Sequence, residues 1–208
     1  MSEDYIAGSL KKYMDKSKIK EFFNSLASRW DDGMVKDDKI MNTILDNAEV
    51  SSGKDILDVA CGTGVMIDYY LKRKVRSVTA VDFSEKMCEI ASRKYADDKN
   101  VQILCEDIEE FDGDKGYDAI IVYNSFPHFI DAEKLIAHLS CLLNQNGILT
   151  VAHGMSREKI NAHHINIADD VKCELMEPDK LAEIFSRYLQ VTTVISNDKM
   201  YQIAGRKI

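Results

Sequence analysis

The stretch Asp55-Ile-Leu-Asp-Val-Ala-Cys-Gly-Thr-Gly64 decides the fold. Five residues of apolar, β-rich character run directly into a glycine turn, and a helical pattern follows from Val65 to Arg73. A buried strand that ends in such a turn lets backbone approach a ligand closely where side chains would block it, so a nucleotide-like occupant fits the segment. A dinucleotide fingerprint needs a third small residue three positions after the second glycine. Ile67 stands there, which disfavours NAD and FAD and hence a dehydrogenase.

Working outward, β-rich runs alternate with helical patterns. Asp55–Ala60, Ser77–Asp82, Val101–Cys105, Tyr117–Tyr123 and Ile148–His153 read as strands, and Val65–Arg73, Ser84–Tyr95 and Asp131–Leu143 as the helices between them, with Ser84 as an N-cap. Cys105 to Tyr117 leaves room only for a short turn or helix. Such alternation implies βαβ units and a doubly wound, mostly parallel sheet with helices on both faces, whose ligand site lies beyond the strand carboxyl ends. Pro178 starts a further helix, and Gln190–Ser196 and Met200–Gly205 then form a C-terminal β-hairpin turning at Asn197-Asp198, which completes seven strands. Upstream, Ile19, Phe22, Phe23, Leu26 and Trp30 fall at helical spacing, and a second helical stretch covers Val35–Leu45.

The 208 residues carry 27 basic and 35 acidic side chains, a formal charge of −8 that repels phosphate backbones and anionic membranes. Nucleic acid is thereby disfavoured as a partner. Five cysteines at wide spacing, without a CxxC pair, suggest neither a disulfide framework nor a zinc site. No run approaches the ~20 apolar residues of a membrane helix, and no targeting signal is evident, so a cytoplasmic location without membrane insertion is expected. With two prolines, no low-complexity linker and no repeat, the chain reads as one domain over residues 1–208, with residues 1–50 as an N-terminal helical cap. Oligomeric state is not legible.

Leu57–Gly64 resembles the first motif of the class I, Rossmann-like, S-adenosylmethionine (SAM)-dependent methyltransferases, with Ala60 in place of the usual first glycine. The resemblance implies SAM as cofactor, with Asp58 near the methionine ammonium and Gly62 and Gly64 letting the loop pass under the ligand. Val78–Met87 resembles the second motif, which implies Asp82 on the ribose hydroxyls and Phe83 against the adenine. Cys105–Glu109 is similar to the adenine-contacting segment, implying Asp107 at the amino group and Ile108 beside the ring. Tyr123-Asn-Ser-Phe-Pro-His-Phe129 resembles the loop facing the methionine moiety and the acceptor, with Tyr123 and Asn124 on the cofactor; the Asn-Pro-Pro-Tyr motif of nucleobase methylation is absent. Phe22–Asp31 is similar to the opening helix of small-molecule methyltransferases, which implies Trp30 at the acceptor site; packing into the core is the alternative reading of that helix.

Together these resemblances imply methyl transfer to a small-molecule acceptor, a displacement in which the protein chiefly supplies alignment, worth ~7–11 kcal/mol. A non-catalytic SAM-binding or regulatory module is the alternative, and aminopropyl transfer on the same fold has no specific support. Four of the five histidines map to one rim: His128 follows strand four and His153 ends strand five, and both are candidate catalytic groups, while His163 and His164 are acceptor-site candidates. No tight ligand spacing such as HxxxH occurs, so no metal site is assigned.

Overall fold

The computed structural model describes residues 16–32, 36–113, 116–164 and 174–208, without the side chains of His163 and His164. Its helices are α1 (Lys16–Leu26), α2 (Asp38–Asn47), α3 (Ile67–Lys72), α4 (Glu85–Lys94), α5 (Ala132–Leu142), α6 (Arg157–His164) and α7 (Pro178–Ser186). Its strands are β1 (Asp55–Val59), β2 (Ser77–Asp82), β3 (Val101–Cys105), β4 (Tyr117–Tyr123), β5 (Leu143–His153), β6 (Gln190–Ser196) and β7 (Tyr201–Arg206). Short 3₁₀ turns cover Ala27–Arg29 and Phe126–His128.

The seven strands form one sheet in the order β3-β2-β1-β4-β5-β7-β6. The first five are parallel, and β7 enters antiparallel beside β5 with β6 at the edge. All five residues of β1 are buried, as a central parallel strand covered on both faces requires. The two-residue period then sorts the core. Leu57, Val59, Ile120 and Val122 pack with Leu135 and Leu139 of α5 and with Phe185 of α7. Ile56, Ala119 and Ile121 pack on the opposite face with Met41 and Leu45 of α2 and with Tyr69 and Tyr70 of α3. Each such aliphatic side chain contributes ~1.5–3 kcal/mol by burial, so two full layers hold the sheet between the helices.

Local signals act where the sequence placed them. Ser84 accepts from the Met87 amide at 3.3 Å and caps α4; Asp131 caps α5 through the Lys134 amide at 3.0 Å. Asn197 makes the hairpin turn by accepting from the amides of Lys199 and Met200. Among the boundaries that differ from expectation, three are informative. α3 begins at Ile67, because the turn extends through Met66; β5 begins at Leu143 rather than Ile148; and α2 begins at Asp38, where Asp37 caps the amides of Lys39 and Ile40. Val35 lies outside the described residues. α6 is an element the sequence reading lacks: its eight residues hold a single buried apolar anchor, Ile160, too few to print a helical period. Among the described residues no helix is long and apolar enough to cross a membrane.

Candidate functional site

A partly enclosed cavity of about 190 Å³ opens at the carboxyl ends of the parallel strands. Asp58 and the Ala60–Gly62 loop come from β1, Asp82 and Phe83 from β2, Glu106–Glu109 from the segment after β3, and Tyr123–Ser125 from the end of β4. Ile19 and Phe23 of α1, with Trp30, form the roof. The topology accounts for this convergence: helices cross from strand to strand on the faces, and only the strand ends are left uncovered.

The loop after β1 turns through left-handed backbone at Ala60 (φ 51°), Gly62 (φ 57°) and Gly64 (φ 86°). Gly62 lines the cavity, and a methyl group there would come within 3.6 Å of the Trp30 indole nitrogen. Its amide donates to Asp82 Oδ2 at 2.8 Å, while the Ser84 amide donates to Oδ1 at 2.9 Å. The first two strand ends are thus tied together through one buried carboxylate. Burial raises the Asp82 pKa, and the backbone donors of Ser84, Gly62 and Phe83 oppose the rise. The carboxylate lines the cavity, and its roughly four acceptor positions exceed these donors. Gly64 departs from the expected role. It is not among the residues lining the cavity, and a Cβ there would meet the Tyr95 ring at 2.6 Å, so its glycine is required by left-handed backbone and the approach of Tyr95.

Asp58 is the most unusual group in the cavity. It is 1% exposed, and its Oδ2 has no hydrogen-bond partner among the described residues. Burial pushes its pKa up to about 8; the neighbouring Tyr70 phenol lowers it, and the Asp82 charge adds to the rise. A carboxylate stripped of water with an open oxygen is costly unless a cation or donor completes it.

Asp107 and Ile108 also line the cavity, but Asp107 has competing partners: its Oδ2 accepts from Lys16 at 2.6 Å and its Oδ1 from the Glu109 amide at 3.0 Å. Tyr123 and Asn124 stand at the end of β4, Asn124 in left-handed backbone with its Oδ1 accepting from the Gly154 amide. Burial pushes the Tyr123 phenol up to about 12, which keeps it protonated at neutral pH. His128 lines the cavity with its ring edge-on to Phe23 at 5.1 Å, and Phe23 meets Trp30 in the same way at 5.6 Å. His153 is placed differently. It is 2% exposed, packs edge-on against Tyr201 of the neighbouring β7 at 6.0 Å and does not line the cavity, because at the last position of β5 its side chain turns to the face that α7 covers. His163 and His164 end α6, and their side chains lie outside the described residues. Among the described residues no group of three or more His, Cys, Asp or Glu could hold a metal ion.

The sequence reading missed Lys16, Lys36 and Ser125, all in the cavity wall. Ser125 Oγ is buried without a partner among the described residues. Its place in the loop after the fourth strand was the available signal. The two lysines carry none, since an exposed-looking lysine on a polar stretch reads as solvated surface.

The roof is fastened by polar contacts to α4 and the first loop. Asn24 Oδ1 accepts from Ser84 Oγ at 2.7 Å and the Lys86 amide at 3.1 Å, and Asp31 accepts from Thr63 Oγ1 at 2.6 Å and from Lys94.

Residues 56–147 match the family described as a methyltransferase domain. Among curated relatives, malonyl-[acyl-carrier protein] O-methyltransferase of Acetivibrio thermocellus is 32% identical over 139 residues, covering 65% of this chain and 49% of that protein. (S)-tetrahydroprotoberberine N-methyltransferase of Eschscholzia californica is 24% identical over 60% of this chain and 36% of its own length. The chain spans about half the length of the first of these relatives. In fold, this chain aligns with the N-methyltransferase NodS from Bradyrhizobium japonicum WM9, solved with S-adenosyl-L-homocysteine (SAH), at TM-score 0.72 and 11% identity over 90% of this chain and 97% of that one. Magnesium protoporphyrin IX methyltransferase from Synechocystis PCC 6803 aligns at TM-score 0.71 and 16% identity, over 93% and 100%. These likenesses show the fold that the chain shares with both structures: a seven-stranded, mostly parallel sheet closed by an antiparallel hairpin.

Proposed function

We propose that this domain binds SAM in the cavity and directs its methyl group to a small-molecule acceptor in the cytoplasm. The observation that carries the reading is the pair of buried carboxylates on neighbouring strand ends. Asp58 has an open oxygen suited to an ammonium, and Asp82 has spare acceptor capacity suited to adjacent hydroxyls. Phe83, Met87 and Ile108 provide apolar walls for a base at the Asp82 end. Asp107 takes the adenine amino group if Lys16 gives way, or holds Lys16 against the ligand otherwise. The bound group supplies a methyl carbon already activated by a sulfonium, so the chain's own work is alignment and exclusion of water.

At the other end Phe23, Trp30, Phe129 and Ile130 surround His128 and Ser125. That setting favours an acceptor with an apolar or aromatic body and one polar atom. Ser125 Oγ orients that atom, and His128 removes a proton from it where the chemistry requires one. His153 stays outside the cavity wall, and the described residues from Lys16 onward within the 1–50 segment serve as the cap. The acidic surplus of the chain opposes nucleic-acid substrates.

Titration calorimetry with SAM and SAH tests the reading; absence of heat at millimolar ligand overturns it. Asp82→Ala should weaken SAH binding by ~1.5–3 kcal/mol, the range of a hydrogen bond to a charged group. Unchanged affinity in a folded Asp82→Ala protein removes the ribose assignment. Tight binding without methyl transfer across a panel of phenols, thiols, amines and quinones would favour a binding module.

A further inference from the structure

Behind the cavity, on the outer side of α4, an open groove is lined by Glu85, Cys88, Glu89, Arg93, Ile103 and Cys105. Cys105 is exposed at the last position of β3, and the period of the strand puts it on the same face as Ile103, toward α4. Cys88 is buried under that helix. Its thiol lies 3.3 Å from the Asp82 carbonyl and 3.7 Å from the carbonyl of Leu104, the peptide group that leads directly into Cys105. One accessible thiol and one shielded thiol therefore meet at the same wall of one groove. Cys61 and Cys141 are not among the residues lining it.

Both thiols are wired to the adenosyl end of the cavity. The Asp82 carbonyl that receives the Cys88 thiol also accepts the Glu106 amide at 3.0 Å. Cys105 immediately precedes Glu106–Glu109, which line the cavity. Asp82 itself bears the carboxylate assigned to the ribose.

We propose that Cys88 and Cys105 form a modification site for low-molecular-weight disulfides of the glutathione type, and that closing the Cys88–Cys105 bond weakens ligand binding in the adjoining cavity. The Cys105 thiolate attacks one sulfur of oxidised glutathione, forming a mixed disulfide and releasing one glutathione thiol. The Cys88 thiolate then attacks Cys105 Sγ and releases the second. Two protein thiols are oxidised to one disulfide, and one glutathione disulfide is reduced to two thiols. Burial raises the Cys88 pKa, with the Asp82 carboxylate adding to the rise, so the second attack is the slow step and quickens with pH. A disulfide holds its Cβ atoms ~3.8 Å apart, so Cys88 must leave the Asp82 carbonyl and the end of β3 is drawn toward α4. That shift disturbs the strand ends carrying Asp82 and Asp107.

The second half of the proposal rests on the cofactor reading above; the first does not. Purified protein should be incubated with oxidised glutathione, alkylated, and analysed by peptide mass spectrometry and by calorimetry with SAH. The expected result is loss of two thiols per chain, a Cys88–Cys105 linked peptide, and SAH affinity reduced tenfold or more and restored by dithiothreitol. Cys105→Ser should form no link and keep its affinity under the same treatment. Glutathione adducts without the internal link overturn the site, and the link with unchanged SAH affinity overturns its effect on the cavity. If the reduced protein binds no SAH at all, the cofactor reading and with it the coupling fail, and the linked peptide alone decides the thiol pair.

Discussion

Two sets of buried polar side chains sit on the same sheet under opposite conditions. Beneath the hairpin, Gln202 is fully buried and fully engaged. Its amide nitrogen donates to the Ile44 carbonyl and to Thr150 Oγ1, both at 3.0 Å, and its oxygen accepts from Asn47 at 2.8 Å. Thr150 in turn donates to the Ile203 carbonyl. At the strand carboxyl ends, Asp58 is as deeply buried and keeps an oxygen without a partner among the described residues. The first arrangement contributes to folding, since every group that lost water gained a replacement. The second costs folding free energy and makes sense only if a ligand supplies what the protein withholds. Buried polarity is therefore informative in this molecule through its satisfaction, more than through its burial.

The sharpest way to break that contrast is Gln202→Ala. It leaves the Asn47 amide without its Gln202 acceptor and takes one of two partners from Thr150 Oγ1 and from the Ile44 carbonyl, and stability should fall by ~3 kcal/mol in urea denaturation, with SAH affinity unchanged where the protein is folded. A loss below ~1 kcal/mol would mean that the network is not structural.

A second effect, spread over pH, comes from Asp58. An ordinary aspartate titrates near ~3.9 when unfolded, and Asp58 titrates at about 8 in the fold. Between these values the folded state holds a proton that the unfolded state has lost, so stability is greatest below the lower value and falls as pH rises toward about 8. Asp82, raised by burial as well, acts in the same direction. The slope from Asp58 has a ceiling of ~1.4 kcal/mol per pH unit, and Asp58→Asn should remove its share. In the same window SAH binding should release a proton and tighten with rising pH in the wild type alone, read by calorimetry in buffers of different ionisation enthalpy. Stability curves of equal slope for Asp58→Asn and wild type would refute the assignment.

The smallest effect concerns Ala60, whose left-handed backbone is costly for an L-residue. Ala60→Gly should raise stability by about 0.5–1 kcal/mol, seen as a small rise in melting temperature, with no loss of SAH affinity. A fall in stability would show that Ala60 is held by packing that outweighs the strain.

Much of the site was legible because its residues carry local signals. Asp58 and Gly62 belong to a strand-to-turn pattern, Asp82 follows the next strand, and Ser84 caps the helix that leaves it. Gly64 was recognised as necessary, but its reason, the ring of Tyr95 arriving from the end of α4, involves a residue 31 positions away that no local pattern contains. His153 shared the strand-end signal of His128 and faces a different environment, since position along a strand fixes the end of the sheet while side-chain direction and covering elements decide access.

The sequence by itself determined the alternation of strands and helices, the turn that opens the cavity and the motif that ties the chain to methyltransferases, because period, caps and glycine geometry act over a few residues. Only the tertiary structure decided that β7 inserts between β5 and β6, that Lys16 occupies Asp107, and that Asp58 loses its water while its Oδ2 gains no partner among the described residues. Those outcomes depend on which distant surfaces meet, and desolvation is a property of the whole packed assembly that no residue carries alone.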